Sequence, residues 1–149
     1  MVKAENPRVE GENMMSITLI IIGMIILVFS IIDWQIRKIP SIFLTAMLFA
    51  VAFLSPANLW FGIMAFIMAY LLYESGFFGG VADIKIMTML GFMISTTNWL
   101  FLYIVLILIF GFVWKLFIKW RMRNEKETAF VPVFLFVYLA LTWLGGITF

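Results

Sequence analysis

SIFLTAMLFAVAFLSPANLWFGIMAFIMAYLLY, residues 41–73, runs for 33 residues without a charged side chain. As one helix at about 1.5 Å per residue it would reach roughly 50 Å, well beyond a hydrocarbon core of about 30 Å. It must fold back. The turn chemistry of Ser55-Pro56-Ala57-Asn58 supplies the break and leaves two short spans. The uncharged run Ile86 to Trp114 breaks in the same way at Ser95-Thr96-Thr97-Asn98. Upstream, Met14 to Ile32 is a 19-residue uncharged stretch, long enough to cross a bilayer. It ends in FSIID, with no small-residue cleavage site, and reads as a span rather than a removed signal sequence. A sixth span starts near Thr128. The expected fold is an all-α integral membrane protein, a bundle of about six transmembrane helices, several of them short.

Composition agrees with a lipid environment. Of 149 residues, 65% are hydrophobic and 12% charged, with a mean hydropathy of +1.14, whereas soluble domains carry about 25% charged residues. There is no Cys and no His. That excludes thiol nucleophiles, disulfides, zinc sites of the Cys/His kind and imidazole catalysis. Chemistry is left to carboxylates, hydroxyls, Lys and Tyr, with no metal or cofactor implied. The net charge of +2 is too small to point to nucleic acid, and the basic residues sit beside apolar runs, where they act as topology signals. Residues 1–13, MVKAENPRVEGEN, are polar and aperiodic and read as a flexible N-terminal tail; Met14 and Met15 are alternative starts. Residues 14–149 form one transmembrane domain.

With six spans, Arg37, Lys38, Lys85, Lys115, Lys119, Arg121, Arg123 and Lys126 fall on one side and only Lys3 and Arg8 on the other. This bias places the loops after the first, third and fifth spans in the cytoplasm and both termini outside. The location implied is the cell membrane, multi-pass, in contact with the lipid bilayer.

Two aspartates, Asp33 and Asp83, lie on the cytoplasmic side. Asp33 ends the first apolar run, where a carboxylate is opposed by the partial negative charge of a helix C-terminus, and local structure gives no reason for it. A plain account is an interfacial charge pairing with Arg37. Asp83 precedes the fourth apolar run, where Asp is a favoured helix N-cap. Gly79 and Gly80 beside it allow positive φ or a close backbone approach, and an ionisable group within a membrane segment marks a functional site. If the two carboxylates face each other they do not both ionise easily, and a pair sharing one proton is the equipment of an aspartic peptidase. Lys85 either tunes that pair, binds a substrate carbonyl, or snorkels to the interface as a positive-inside anchor. Glu74, at the end of the third span, is a candidate contact for a basic partner or a solvated helix end. Pro132 either exposes a backbone carbonyl near the site or is an ordinary first-turn proline.

DWQIRKIPS, residues 33–41, resembles the first aspartate motif of type IV prepilin and archaeal preflagellin peptidases, in which Asp is followed by basic residues, then Ile-Pro and a small polar residue; here these last are Pro40 and Ser41. GVADIK, residues 80–85, is similar to the Gly-x-Gly-Asp motif of the same family, with a Lys two residues after the Asp. FVPVF, residues 130–134, is similar to a proline-containing segment of its last span. The resemblance implies that Asp33 and Asp83 are the catalytic pair, with Gly80, Ala82, Lys85, Pro40 and Pro132 shaping the site. Ala82 departs from the motif's second Gly, and Ser41 stands where Asn is frequent. The absence of Cys and of a further cytoplasmic domain matches the peptidase-only form.

The resemblance further implies a substrate class: pilin-like or preflagellin precursors whose short basic leader is removed at the cytoplasmic face. The other readings open at this point are a presenilin-like or signal-peptide-peptidase-like intramembrane protease, a non-enzymatic proton- or ion-conducting component that uses the aspartates as a relay, and a structural assembly subunit. Oligomeric state is not legible.

Overall fold

A computed structural model describes residues 7–36, 40–121 and 129–147. It contains α1 (Pro7–Ile36), α2 (Ser41–Leu54), a 3-10 turn (Pro56–Asn58), α3 (Leu59–Glu74), α4 (Val81–Gly91), α5 (Thr97–Arg121) and α6 (Val131–Leu144). Among the described residues no strand forms, and one isolated bridge joins Ile94 to Ile147. The first break stands where the turn residues put it, with Pro56 opening the 3-10 turn between α2 and α3. The second falls earlier than expected, at residues 92–96, with Thr97 and Asn98 already in α5.

Residues Ile17–Gln35, Pro56–Glu74 and Thr97–Arg121 are each long and apolar enough to cross a membrane. The other three helices are shorter. α2 and α6 have 14 residues each and α4 has 11, so at about 1.5 Å per residue they reach roughly 21 and 16 Å, short of a full hydrocarbon core. The polar segment expected to be an irregular tail is helical from Pro7 onward; residues 1–6 lie outside the described residues. Proline suits a first helical turn, and extending a helix already nucleated on the apolar run costs little.

Short α4 occupies the centre. It packs against α2, α3 and α6, and Ile84 and every residue from Ile86 to Gly91 are buried. Small residues on α3 let it approach: Gly62, Ala65 and Ala69 are buried, and a Cβ on Gly91 would stand 2.3 Å from that of Ala65. The Tyr103 hydroxyl of α5 donates to the Met87 carbonyl of α4 at 2.9 Å, and Tyr138 of α6 donates to Leu19 of α1. Large apolar side chains cover the outside, among them Phe53, Trp60, Phe101 and Trp143. The fold thus sets the starts of α4 and α6 side by side, with the end of α1 against the start of α6.

Candidate active site

Asp83 is buried, with 5% of its surface exposed. It is the third residue of α4, not its N-cap: Gly80 holds that position, and Asp83 Oδ2 accepts the backbone N–H groups of Gly79 (3.1 Å) and Gly80 (3.2 Å). A carboxylate in the first turn reaching back to the cap satisfies donors that the helix leaves open. The glycine freedom expected beside it is not used at Gly80. Its φ of −163° is ordinary extended backbone, and an added Cβ would meet nothing nearer than the Ala82 nitrogen at 4.0 Å. The left-handed residue of this loop is Gly76, at φ 73°. Ala82 sits at the second helical position, half-buried, where no glycine is required.

Asp33, half-buried near the end of α1, solves its local problem at long range. Its Oδ2 accepts the N–H of Val131 at 3.0 Å, at the start of α6. The unfavourable end of α1 is thereby offset by the favourable, electropositive end of α6. Both motif aspartates therefore rest on backbone N–H groups at helix N-termini. The fold brings them within electrostatic reach of each other, across fifty positions of sequence. Arg37, the expected partner of Asp33, lies outside the described residues, as do Lys38 and Ile39.

Lys85 reaches from α4 to α2. Its ammonium donates to the Ser41 carbonyl (3.2 Å), the Ser41 hydroxyl and the Thr45 hydroxyl (2.7 Å), which engages all three of its N–H bonds. Residues two apart on a helix do not share a face, so Lys85 ties α4 to α2 instead of joining Asp83. Pro40 caps α2 from an exposed position without a side-chain hydrogen bond. Pro132 is a buried first-turn proline of α6, at a position whose N–H would have no helical partner. Glu74, the last residue of α3, is exposed, one turn beyond Tyr70. An apolar groove of about 310 Å³ runs beside the last turns of α1, walled by Trp34, Trp114 and Pro132.

Lys115 belongs to the site, although in the sequence it counted only as a topology signal. Its Nζ donates to the Gly76 carbonyl at 2.8 Å, lies 4.9 Å from the centre of the Phe77 ring, and its charge acts on Asp83. The available signal was position: it is the first charge after a run of uncharged residues. Among the described residues no three carboxylates gather as metal ligands would. No protein-family model, curated protein or solved structure matches this chain.

Proposed function

We propose that this chain is a membrane aspartic endopeptidase of the prepilin and preflagellin kind, removing a short basic leader from pilin-like or preflagellin precursors at the cytoplasmic face. One observation carries the reading: the aspartates of two separate motifs, far apart in sequence, lie within electrostatic reach while each keeps a backbone N–H partner. In such a pair one carboxylate is ionised and takes a proton from water, and the water oxygen attacks the scissile carbonyl carbon. The other, protonated, donates to the carbonyl oxygen as negative charge develops there. Collapse of the tetrahedral intermediate breaks the C–N bond, with a proton delivered to the departing amine. The peptide bond and one water are consumed; no cofactor enters.

The six helices act as six membrane segments, both termini outside, with the loops after α1, α3 and α5 cytoplasmic as the basic residues require. Because α4 and α6 are short, their N-terminal ends lie beneath the cytoplasmic surface, within reach of a cleavage site next to a membrane-embedded helix. A proton relay is less well supported. Beyond Asp83, the ammonium of Lys85 is turned to Ser41 and Thr45, α4 continues through Ile86 and Met87, and the Thr88 hydroxyl donates to the Ile84 carbonyl. The test is co-expression with a panel of pilin-like precursors and inspection for the gel shift of leader removal. Cleavage of at least one precursor is expected, and proton flux in liposomes without any cleavage would overturn the reading.

A further inference from the structure

The two carboxylates are held by two backbone segments, Gly79–Gly80 for Asp83 and Val131 for Asp33. Both are gripped by the same turn of α5. From one side, Lys115 donates to the Gly76 carbonyl and covers Phe77, holding the loop that leads to Gly79 and Gly80. From the other, the Trp114 indole donates to the Ala129 carbonyl at 2.7 Å, two residues before Val131. Between these grips lies Gly111, one turn back on the same helix. A Cβ there would stand 2.6 Å from Cζ of Phe130 and 2.7 Å from Cζ of Phe77, so both rings rest directly on the α5 backbone. Above the glycine the rings also meet each other: Phe77 and Phe130 centres are 5.5 Å apart, and Phe78 and Phe130 are 5.0 Å apart. Phe134 of α6 closes the cluster against Phe78 and Phe130.

We infer that Gly111, Trp114 and Lys115 are positioning residues that set the spacing of Asp33 and Asp83 by seating, on one turn of α5, the loop before α4 and the start of α6, which carry their hydrogen-bond donors. None of the three touches the reacting atoms in this account. Their effect passes through the Phe77 and Phe130 rings and the carbonyls of Gly76 and Ala129, and the charge of Lys115 acts on Asp83 besides. The inference rests on the peptidase reading for its catalytic consequence, but its geometric content stands apart from that reading.

The experiment therefore has two arms. In the first, spin labels at Gln35→Cys and Val81→Cys, both exposed and each two residues from an aspartate, report the spacing in a chain with no native Cys. Gly111→Ala is expected to shift the interspin distance by about 1 Å or more, because the methyl group must displace one or both rings. In the second arm, Gly111→Ala lowers kcat by about 100-fold with KM little changed, the cost of a misplacement of about 1 Å. Lys115→Met and Trp114→Phe remove one donor each and lower kcat by about tenfold. Lys115→Arg, which keeps a donor and a cation, restores most of the activity. Should Gly111→Ala fail to fold, the Lys115 and Trp114 variants carry both arms. Unchanged spacing in the folded variants, or a loss confined to KM, overturns the inference. A wild-type protein that cleaves no precursor overturns the peptidase reading, and the spacing arm still decides the role of α5.

Discussion

Asp83 and Asp33 reach the same arrangement by opposite routes. Asp83 is held by its own neighbours, Gly79 and Gly80, through the local geometry of a helix start. Asp33 is held by Val131, 98 positions away, at the start of another helix. By local rules Asp33 is misplaced, since it sits at the electronegative end of α1. The misfit becomes intelligible only when α6 is packed against that end. The residue that breaks a local rule here is satisfied by a partner 98 positions away, on another helix.

The largest expected effect breaks both halves of the comparison. Asp33→Asn and Asp83→Asn each lower cleavage by roughly 1000-fold or more while leaving expression and the detergent-solubilised fold nearly intact, since Asn keeps the volume but exchanges no proton. Because the pair acts as a unit, the double variant is no worse than either single one. Precursor cleavage followed in membranes checks both points, and near-normal turnover by either variant would remove that aspartate from the chemistry.

Lys85 gives an intermediate effect. With its ammonium bound to Ser41 and Thr45, Lys85→Met removes a tie between α2 and α4, at a cost of about 1.5–3 kcal/mol for hydrogen bonds to a charged group. The thermal midpoint falls, while cleavage drops no more than about tenfold. A loss as deep as that of the aspartate variants would mean that Lys85 takes part in catalysis.

The smallest effect is at Gly80. Since its backbone is extended and space surrounds it, Gly80→Ala leaves both activity and melting temperature nearly unchanged, with activity within about twofold. A large loss would show that the glycine is needed for substrate approach, and the comparison would then gain a functional difference between the two aspartate loops.

How much of this was legible follows from the range of each interaction. The helix break at Ser55–Asn58 is local, set by turn residues and by the length a bilayer allows, and it stands in the fold; the second, expected at Ser95–Asn98, falls a few residues earlier, at 92–96. Asp83 as a first-turn residue was nearly legible; its exact position, third in the helix instead of the cap, depended on where α4 begins. The central place of α4 was not, because an apolar segment in an apolar chain carries no sign of which helices surround it. Nor was the Phe77, Phe78 and Phe130 cluster, since 17 phenylalanines in a lipid-facing composition give no contrast. Lys115 was hidden for the converse reason. Its charge is sufficiently explained by sidedness, and its contacts with Gly76 and Phe77 span nearly forty residues.

The central claim is that Asp33 and Asp83 meet. Cysteines placed at 33 and 83, in a chain that has none, and treated with a short flexible dithiol cross-linker test it directly. A direct disulfide is too strict, because it demands Cα atoms within about 7 Å. The control pair is 33 and 98: Asn98 lies at the far end of α5 from Trp114, whose ring meets Trp34 at 5.8 Å, and sixteen helical residues correspond to about 24 Å. The account predicts that the 33/83 pair links within one chain, more readily with a precursor peptide present, and that the control does not. Failure of the 33/83 pair in folded protein, with and without precursor, would leave two unrelated aspartates and contradict the account.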